Sequence, residues 1–252
     1  MNVHHRRAFA IFVGIVMIPA VQARAGEYSF SRIVDSDSFG PATAGTTVLS
    51  DQSLGLNNNG TAVFATYNRS INATASDTRI YTANAGGPLN LIVAEGSSPN
   101  GQDTQYLGSF GYGASINDSG VVAYWKETSV FNAGYVTQGI YRSDGTTIYE
   151  ATVSNSQPLM PQMATAINNS GEVAFFVDNH MDAEHLQQAL MKGNGSTLVT
   201  VASVSSGGFS SINDSDGNVC TINSAGAVAF TAYGPAPLTS GVYVGSGGPL
   251  TT

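Results

Sequence analysis

Apolar residues in this chain fall into short, strand-length clusters separated by turns rich in Asn, Ser and Gly, and the clusters recur. Four stretches, at 56–64, 116–124, 167–175 and 222–230, align without gaps. Each has an apolar residue (Leu56, Ile116, Ile167, Ile222), then Asn, two variable residues, Gly, two more residues, and a small-aromatic pair such as Ala174-Phe175. The asparagines, Asn57, Asn117, Asn168 and Asn223, are spaced by 60, 51 and 55 residues. A second apolar element follows each one: Ile80-Tyr81, Ile140-Tyr141, Leu190-Met191 and Val242-Tyr243. Each is succeeded by a Gly turn, and in the first three copies by another apolar run. One unit therefore reads strand, Asn-x-x-Gly turn, strand, variable loop, strand, Gly turn, strand.

The spacing of Asn and Gly has a physical reason. Asn at the first position of a type I turn can accept a backbone hydrogen bond from two residues on. Gly at the fourth can take the left-handed conformation that closes a hairpin. Beyond the turn, Val173 and Phe175 point to one face and Ala174 to the other. Both faces are apolar, and the small Ala lets a neighbouring sheet approach closely. Four-stranded sheets of about 50 residues stacked face to face are the blades of a propeller. The expected fold is all-β, a β-propeller-like array of four units. The last unit stops after Val242 to Val244 without its final apolar strand, and residues 30–34 resemble that strand, which predicts closure by the N-terminal strand.

Ahead of the repeats the pattern changes. Arg6 and Arg7 precede an unbroken apolar run, and Ala23-Arg24-Ala25 is a small-x-small cleavage pattern. Residues 1–25 thus read as an export signal, too short in its apolar part to span a bilayer. The Arg-Arg-x-Phe start leaves twin-arginine export as a minor alternative. The expected mature chain is one domain, 26–252, secreted or periplasmic. Cleavage removes three of nine basic residues, leaving six against seventeen acidic ones and a net charge of −11. Such a surface repels phosphate backbones, so nucleic acid is excluded as a partner. Charged residues are only 10% of the chain, and 42% are apolar, which argues for a folded protein with a neutral polar surface. Cys220 is the single cysteine, so no internal disulfide forms, and its strand position predicts a small buried hydrophobe.

The repeat resembles that of the choice-of-anchor Asn-x-x-Gly-x-x-Ala-Phe (NxxGxxAF) tandem-repeat proteins, exported bacterial proteins often carrying PEP-CTERM-type anchors. Asn168, Gly171, Ala174 and Phe175 match the motif fully, as do Asn223, Gly226, Ala229 and Phe230. Tyr124 replaces Phe in the second copy and Val63 replaces Ala in the first. The resemblance implies export and surface display, and it brings no catalytic residues. The chain shows no terminal anchor of that kind, which leaves surface attachment open.

Candidate chemistry is sparse. His180 and His185, with Asp178, Asp182 and Glu184, could ligate a metal, but a spacing of five does not put both histidines on one helical face. Asp214, Asp216 and Asn218 resemble the start of a calcium loop that lacks its distal Glu. Glu127, Glu150 and Glu172 could supply paired carboxylates, yet they read better as solubilising charges. The sequons at Asn68 and Asn72 read as composition. No catalytic, cofactor or metal residue is assigned. The expectation is a monomeric, non-enzymatic scaffold or binding module for an extracellular protein or polysaccharide, with no membrane span after cleavage. Its variable loops, 130–138 and 179–188, are the natural contact sites. The alternatives are a carbohydrate-active hydrolase or lyase on the same fold, or a fragment of a longer anchored protein.

Overall fold

In a computed structural model, the described residues are 31–34, 45–70, 76–94, 105–106, 113–130, 135–153, 159–179, 187–212, 220–234 and 240–248. All but Ser31 belong to one compact unit, Arg32–Thr252. The architecture is all-β and propeller-like: four antiparallel sheets, one per sequence repeat.

The first sheet runs β1 (Gly45–Leu56), β2 (Ala62–Ser70), β3 (Ser76–Ala83), β4 (Asn90–Ala94). In the second, two short strands, β5 (Gln105–Tyr106) and β6 (Ser115–Ile116), both pair with β7 (Val122–Val130). That sheet continues through β8 (Tyr135–Arg142) and β9 (Thr147–Val153). The third is β10 (Met160–Ile167), β11 (Val173–Asp178), β12 (Ala189–Gly193), β13 (Leu198–Ser203), followed by a single helical turn, α1 (Val204–Gly207). The fourth is β14 (Cys220–Ile222), β15 (Val228–Tyr233), β16 (Ser240–Gly245).

The small-aromatic pair acquires a direction here. The aromatic position faces the preceding sheet, and the small one faces the following sheet. Phe175 packs with Ala123, Trp125 and Ile140 of the second sheet, while Ala174 packs with Val228 and Phe230 of the fourth. Val63 in the first sheet and Ala123 in the second occupy the forward position, both fully buried. Directly across the second hairpin sits a partner ring: Phe64 opposite Tyr81, Tyr124 opposite Tyr141, Phe230 opposite Tyr243. Their centroids lie 5.9–6.1 Å apart, the spacing of favourable aromatic pairs. A register shift recurs at one place in the first three sheets, between Ile80 and Tyr81, Ile140 and Tyr141, and Leu190 and Met191. Bulges of this kind add twist and bend.

Cys220 is buried in the cluster between the third and fourth sheets, as its strand position predicts. The expected closure is not seen among the described residues. Ser31 to Val34 form no strand, and Ile33 and Val34 pack on the backward face of the first sheet, against Ala62, Phe64 and Ala83. The expected pairing of residues 30–34 with the Val242 strand is therefore not made by its described members, and Phe30 lies outside them. Packing on that apolar face removes part of the Ile-Val pair's surface from water, a gain that needs no strand pairing. The forward face of the fourth sheet is correspondingly bare, with Val242 69% and Val244 41% exposed.

Candidate binding site at the mouth of the four turns

Each Asn-x-x-Gly turn is built as its chemistry requires. The Gly N–H donates to the Asn carbonyl at 3.0–3.1 Å in all four copies, at Gly60, Gly120, Gly171 and Gly226. These glycines have φ of 77°, 81°, 81° and 78°, the left-handed region that disfavours a Cβ. The Asn Oδ1 accepts from the turn's own backbone: from Asn59 and Thr61 N–H at Asn57, from Val121 N–H at Asn117, and from Ser170 and Glu172 N–H at Asn168. Asn223 repeats this with Ala225 and Ala227.

The other half of the amide does something the sequence did not disclose. Asn57 Nδ2 donates to the Asn117 carbonyl at 3.0 Å, Asn117 Nδ2 to the Asn168 carbonyl at 3.2 Å, and Asn168 Nδ2 to the Asn223 carbonyl at 3.1 Å. One side chain thus closes its own turn and ties it to the next. The three donors are 4–8% exposed, and a buried amide is tolerated because both ends are engaged. Asn223, the last in the series, is exposed, and its Nδ2 reaches no further turn among the described residues.

A second tier lies one residue on. The Asp118 carboxylate accepts from Asn58 N–H (2.8 Å), Asn58 Nδ2 (2.9 Å) and Asn169 Nδ2 (2.7 Å). These bonds, that from Asn169 foremost, hold its carboxyl below the ordinary range, so it is an acceptor rather than a proton donor. Beneath the turns, cations from the preceding unit reach forward. Arg142 Nη1 donates to the Gly171 carbonyl at 2.9 Å, and Lys192 Nζ to that of Gly226 at 2.6 Å. Arg142 also grips Asp144, holding that carboxyl at about 2. Both cations follow the second apolar element by one residue, a regularity visible in the sequence but meaningful only once the next turn is in place.

The four turns surround one cavity of about 190 Å³. It is lined by Leu56, Ile116, Ile167 and Ile222, by the ladder asparagines Asn57, Asn117 and Asn168, and by Asn58, Asp118, Asn169 and Ser224, so that its surface is mainly polar.

The sequence candidates fall differently. His180, His185 and residues 214–218 lie outside the described residues. Among the described residues, no group of three or more His, Cys, Asp and Glu is placed to hold a metal, and no helix is long and apolar enough to cross a membrane. The three glutamates each hold a separate neighbour. Glu127 accepts from Gln138 at 2.8 Å, Glu150 from Tyr141 at 2.7 Å, and Glu172 from Asn168 at 2.9 Å while facing Lys192 at 3.5 Å. Of the supposed loop 130–138, Val130 and residues 135–138 are strand. In 179–188, Asn179 and Gln188 are buried, and Gln188 Oε1 accepts from Ile212 N–H at 3.1 Å.

Sheets stacked in series with their inner turns gathered around one mouth define a β-propeller-like repeat protein. The chain belongs to the Family of unknown function (DUF7453), whose profile matches residues 29–161 and, overlapping them, 56–252. No curated protein matches it in sequence. Among solved structures it is similar to a subtype N11 neuraminidase-like protein of A/flat-faced bat/Peru (H18N11), at 14% identity and a TM-score of 0.42, over 83% of this chain and 56% of that one. The chain thus spans little more than half the length of that protein. It is also similar to an α-L-arabinofuranosidase from Podospora anserina, at 9% identity and a TM-score of 0.35, over 84% and 68% of the two chains. A third is the β-propeller domain of the Trilobed protease from Pyrococcus furiosus, at 10% identity and a TM-score of 0.27, over 81% and 84%.

Proposed function

We propose that this protein is an exported, non-enzymatic repeat scaffold that binds a ligand outside the cell at the mouth of its four turns, in the manner of the choice-of-anchor repeat proteins that it resembles. The observation that carries this reading is the convergence of four copies of one turn on a single polar-rimmed cavity. The engagement of the carboxylates supports it as well. General acid–base chemistry needs a carboxyl free to take or give a proton near neutral pH. At the mouth, Asp118 is held ionised by three N–H donors. Export rests on the signal-like residues 1–25 and on a surface poor in charge.

Two measurements test the reading together. N-terminal sequencing of protein recovered outside the producing cell should give Gly26 first; an intact Met1 there would contradict export. The purified protein should bind components of a glycan and peptide array without releasing new reducing ends or amines. Heat-sensitive release of either would replace the scaffold with an enzyme.

A further inference from the structure

Within the ladder every amide is engaged, but at its two ends, which both line the cavity, polar groups are not. Asn58 Oδ1 accepts nothing among the described residues, since the Asn58 amide is used only as a donor to Asp118. Ser224 Oγ and Asn223 Nδ2 likewise make no bond there. The same mainly polar mouth has one exposed apolar side chain at its edge: Leu56 is 66% exposed, whereas Ile116, its counterpart one unit on, is 8% exposed. An exposed Leu alone says little. An exposed Leu beside unengaged donors and acceptors offers one apolar contact among orienting polar groups, the mixed surface that a polyhydroxylated ring presents in turn.

We infer that the mouth binds one neutral sugar residue, seated between the first and fourth turns with its C–H face on Leu56 and its hydroxyls on Asn58 and Ser224. This rests on the reading of the mouth as a binding site. A hydroxyl is both donor and acceptor, so the Asn58 amide oxygen and the Ser224 hydroxyl both suit it. The cavity is small, which fits a single ring rather than a chain in depth. Anionic ligands are disfavoured by the mature chain's net charge of −11 and by the Asp118 carboxylate at the rim. Asp118 is also a poor cation ligand, because three of its acceptor positions are filled by N–H groups.

The test is titration of the ¹⁵N-labelled mature chain with methyl glucoside, methyl mannoside, methyl galactoside and N-acetylglucosamine, following side-chain amide signals. At least one neutral sugar should shift Asn58 and Asn223 together. Leu56→Ser should weaken that binding about ten-fold or more, the size of effect expected from losing one apolar contact. Ser224→Trp, which fills the mouth from an exposed position, should abolish it with an unchanged thermal midpoint. Glucuronate should bind at least ten-fold more weakly than the best neutral sugar. Equal binding of glucuronate, or shifts from spermidine or calcium instead of the sugars, would overturn the ligand class while leaving a binding mouth intact. Sugar shifts that survive Ser224→Trp would place the ligand elsewhere. No shift with any probe, in a protein that remains folded, would overturn the inference.

Discussion

At the scale of single residues, the asparagine that opens each turn has two tasks and needs both ends of its amide. In Asn117, Oδ1 serves Val121 N–H and Nδ2 serves the Asn168 carbonyl. Asn117→Ala removes both bonds and leaves buried partners unmet, a cost of about 1–3 kcal/mol. Asn117→Asp keeps the acceptor but turns an oxygen toward a carbonyl, so it should also destabilise near neutral pH, and less so in acid where the carboxyl can donate. Chemical denaturation at pH 7 and pH 4 checks both; a neutral Asn117→Asp would mean that the inter-turn bond contributes nothing. The turn glycines separate two causes. Gly120 and Gly171 share φ of 81°, but only at Gly171 would a Cβ also meet Arg142 Nη1, at 2.6 Å. Gly120→Ala should cost about 1–2 kcal/mol from backbone strain. Gly171→Ala should cost more, because it also displaces the Arg142 clip. Equal thermal midpoints in the two variants would remove Arg142 from the account. Cys220 is pushed up to about 12 by burial, well above the ordinary thiol range near 8.5. The unfolded chain therefore loses that proton before the folded one. Cys220 favours folding fully below about pH 8.5, and its contribution declines as pH rises toward 12. Native protein at pH 8 should resist a thiol reagent, and denatured protein should react at once; fast native labelling would contradict the burial.

At the scale of the element, the small-aromatic pair sets how sheets stack. Ala174 lies fully buried against the fourth sheet, whereas Ala229, its counterpart there, is only partly buried on the bare forward face. Overpacking a tight interface costs about 1–3 kcal/mol, so Ala174→Leu should destabilise by that amount. Ala229→Leu should stay within about 0.5 kcal/mol, as surface changes do. Denaturant midpoints decide it, and an equally damaging Ala229→Leu would show that the fourth sheet's forward face is covered. Much of this level was legible in the sequence. Turn geometry depends on residues within five positions, and strand faces follow from alternation, so both could be read from Asn168, Gly171, Ala174 and Phe175. What depended on the neighbouring unit was not legible. Neither the Nδ2 bonds, nor the Arg142 and Lys192 clips, nor the tie of Asp118 to Asn58 and Asn169 can be derived from one unit. Each joins residues 29 to 60 positions apart that meet only after stacking.

At the scale of the folded unit Arg32–Thr252, the asparagine ladder and the two cations join the repeats in series and in one direction. Every donor in the ladder reaches the unit that follows, and both cations do the same. The fourth unit continues neither habit: Val244 stands where Arg142 and Lys192 stand, and Asn223 ends the ladder. The N-terminal expectation went astray at this scale because similarity of Ile33-Val34 to a strand fixes composition, not partner. The backward face of the first sheet was equally open to an Ile-Val pair, and it is where Ile33 and Val34 lie. The mouth, too, was invisible in sequence, since no single repeat contains it.

The central claim is that four Asn-x-x-Gly units stack so that each turn is bonded to the next around one mouth. Scalar couplings across hydrogen bonds, measured from asparagine side-chain amides in the isotope-labelled protein, test it most directly. They should link Asn57 Nδ2 to the Asn117 carbonyl, Asn117 to Asn168, and Asn168 to Asn223, with none from Asn223 to a further turn. Side-chain amides exchanging freely with water at Asn57, Asn117 and Asn168, in a protein whose strands are formed, would contradict it.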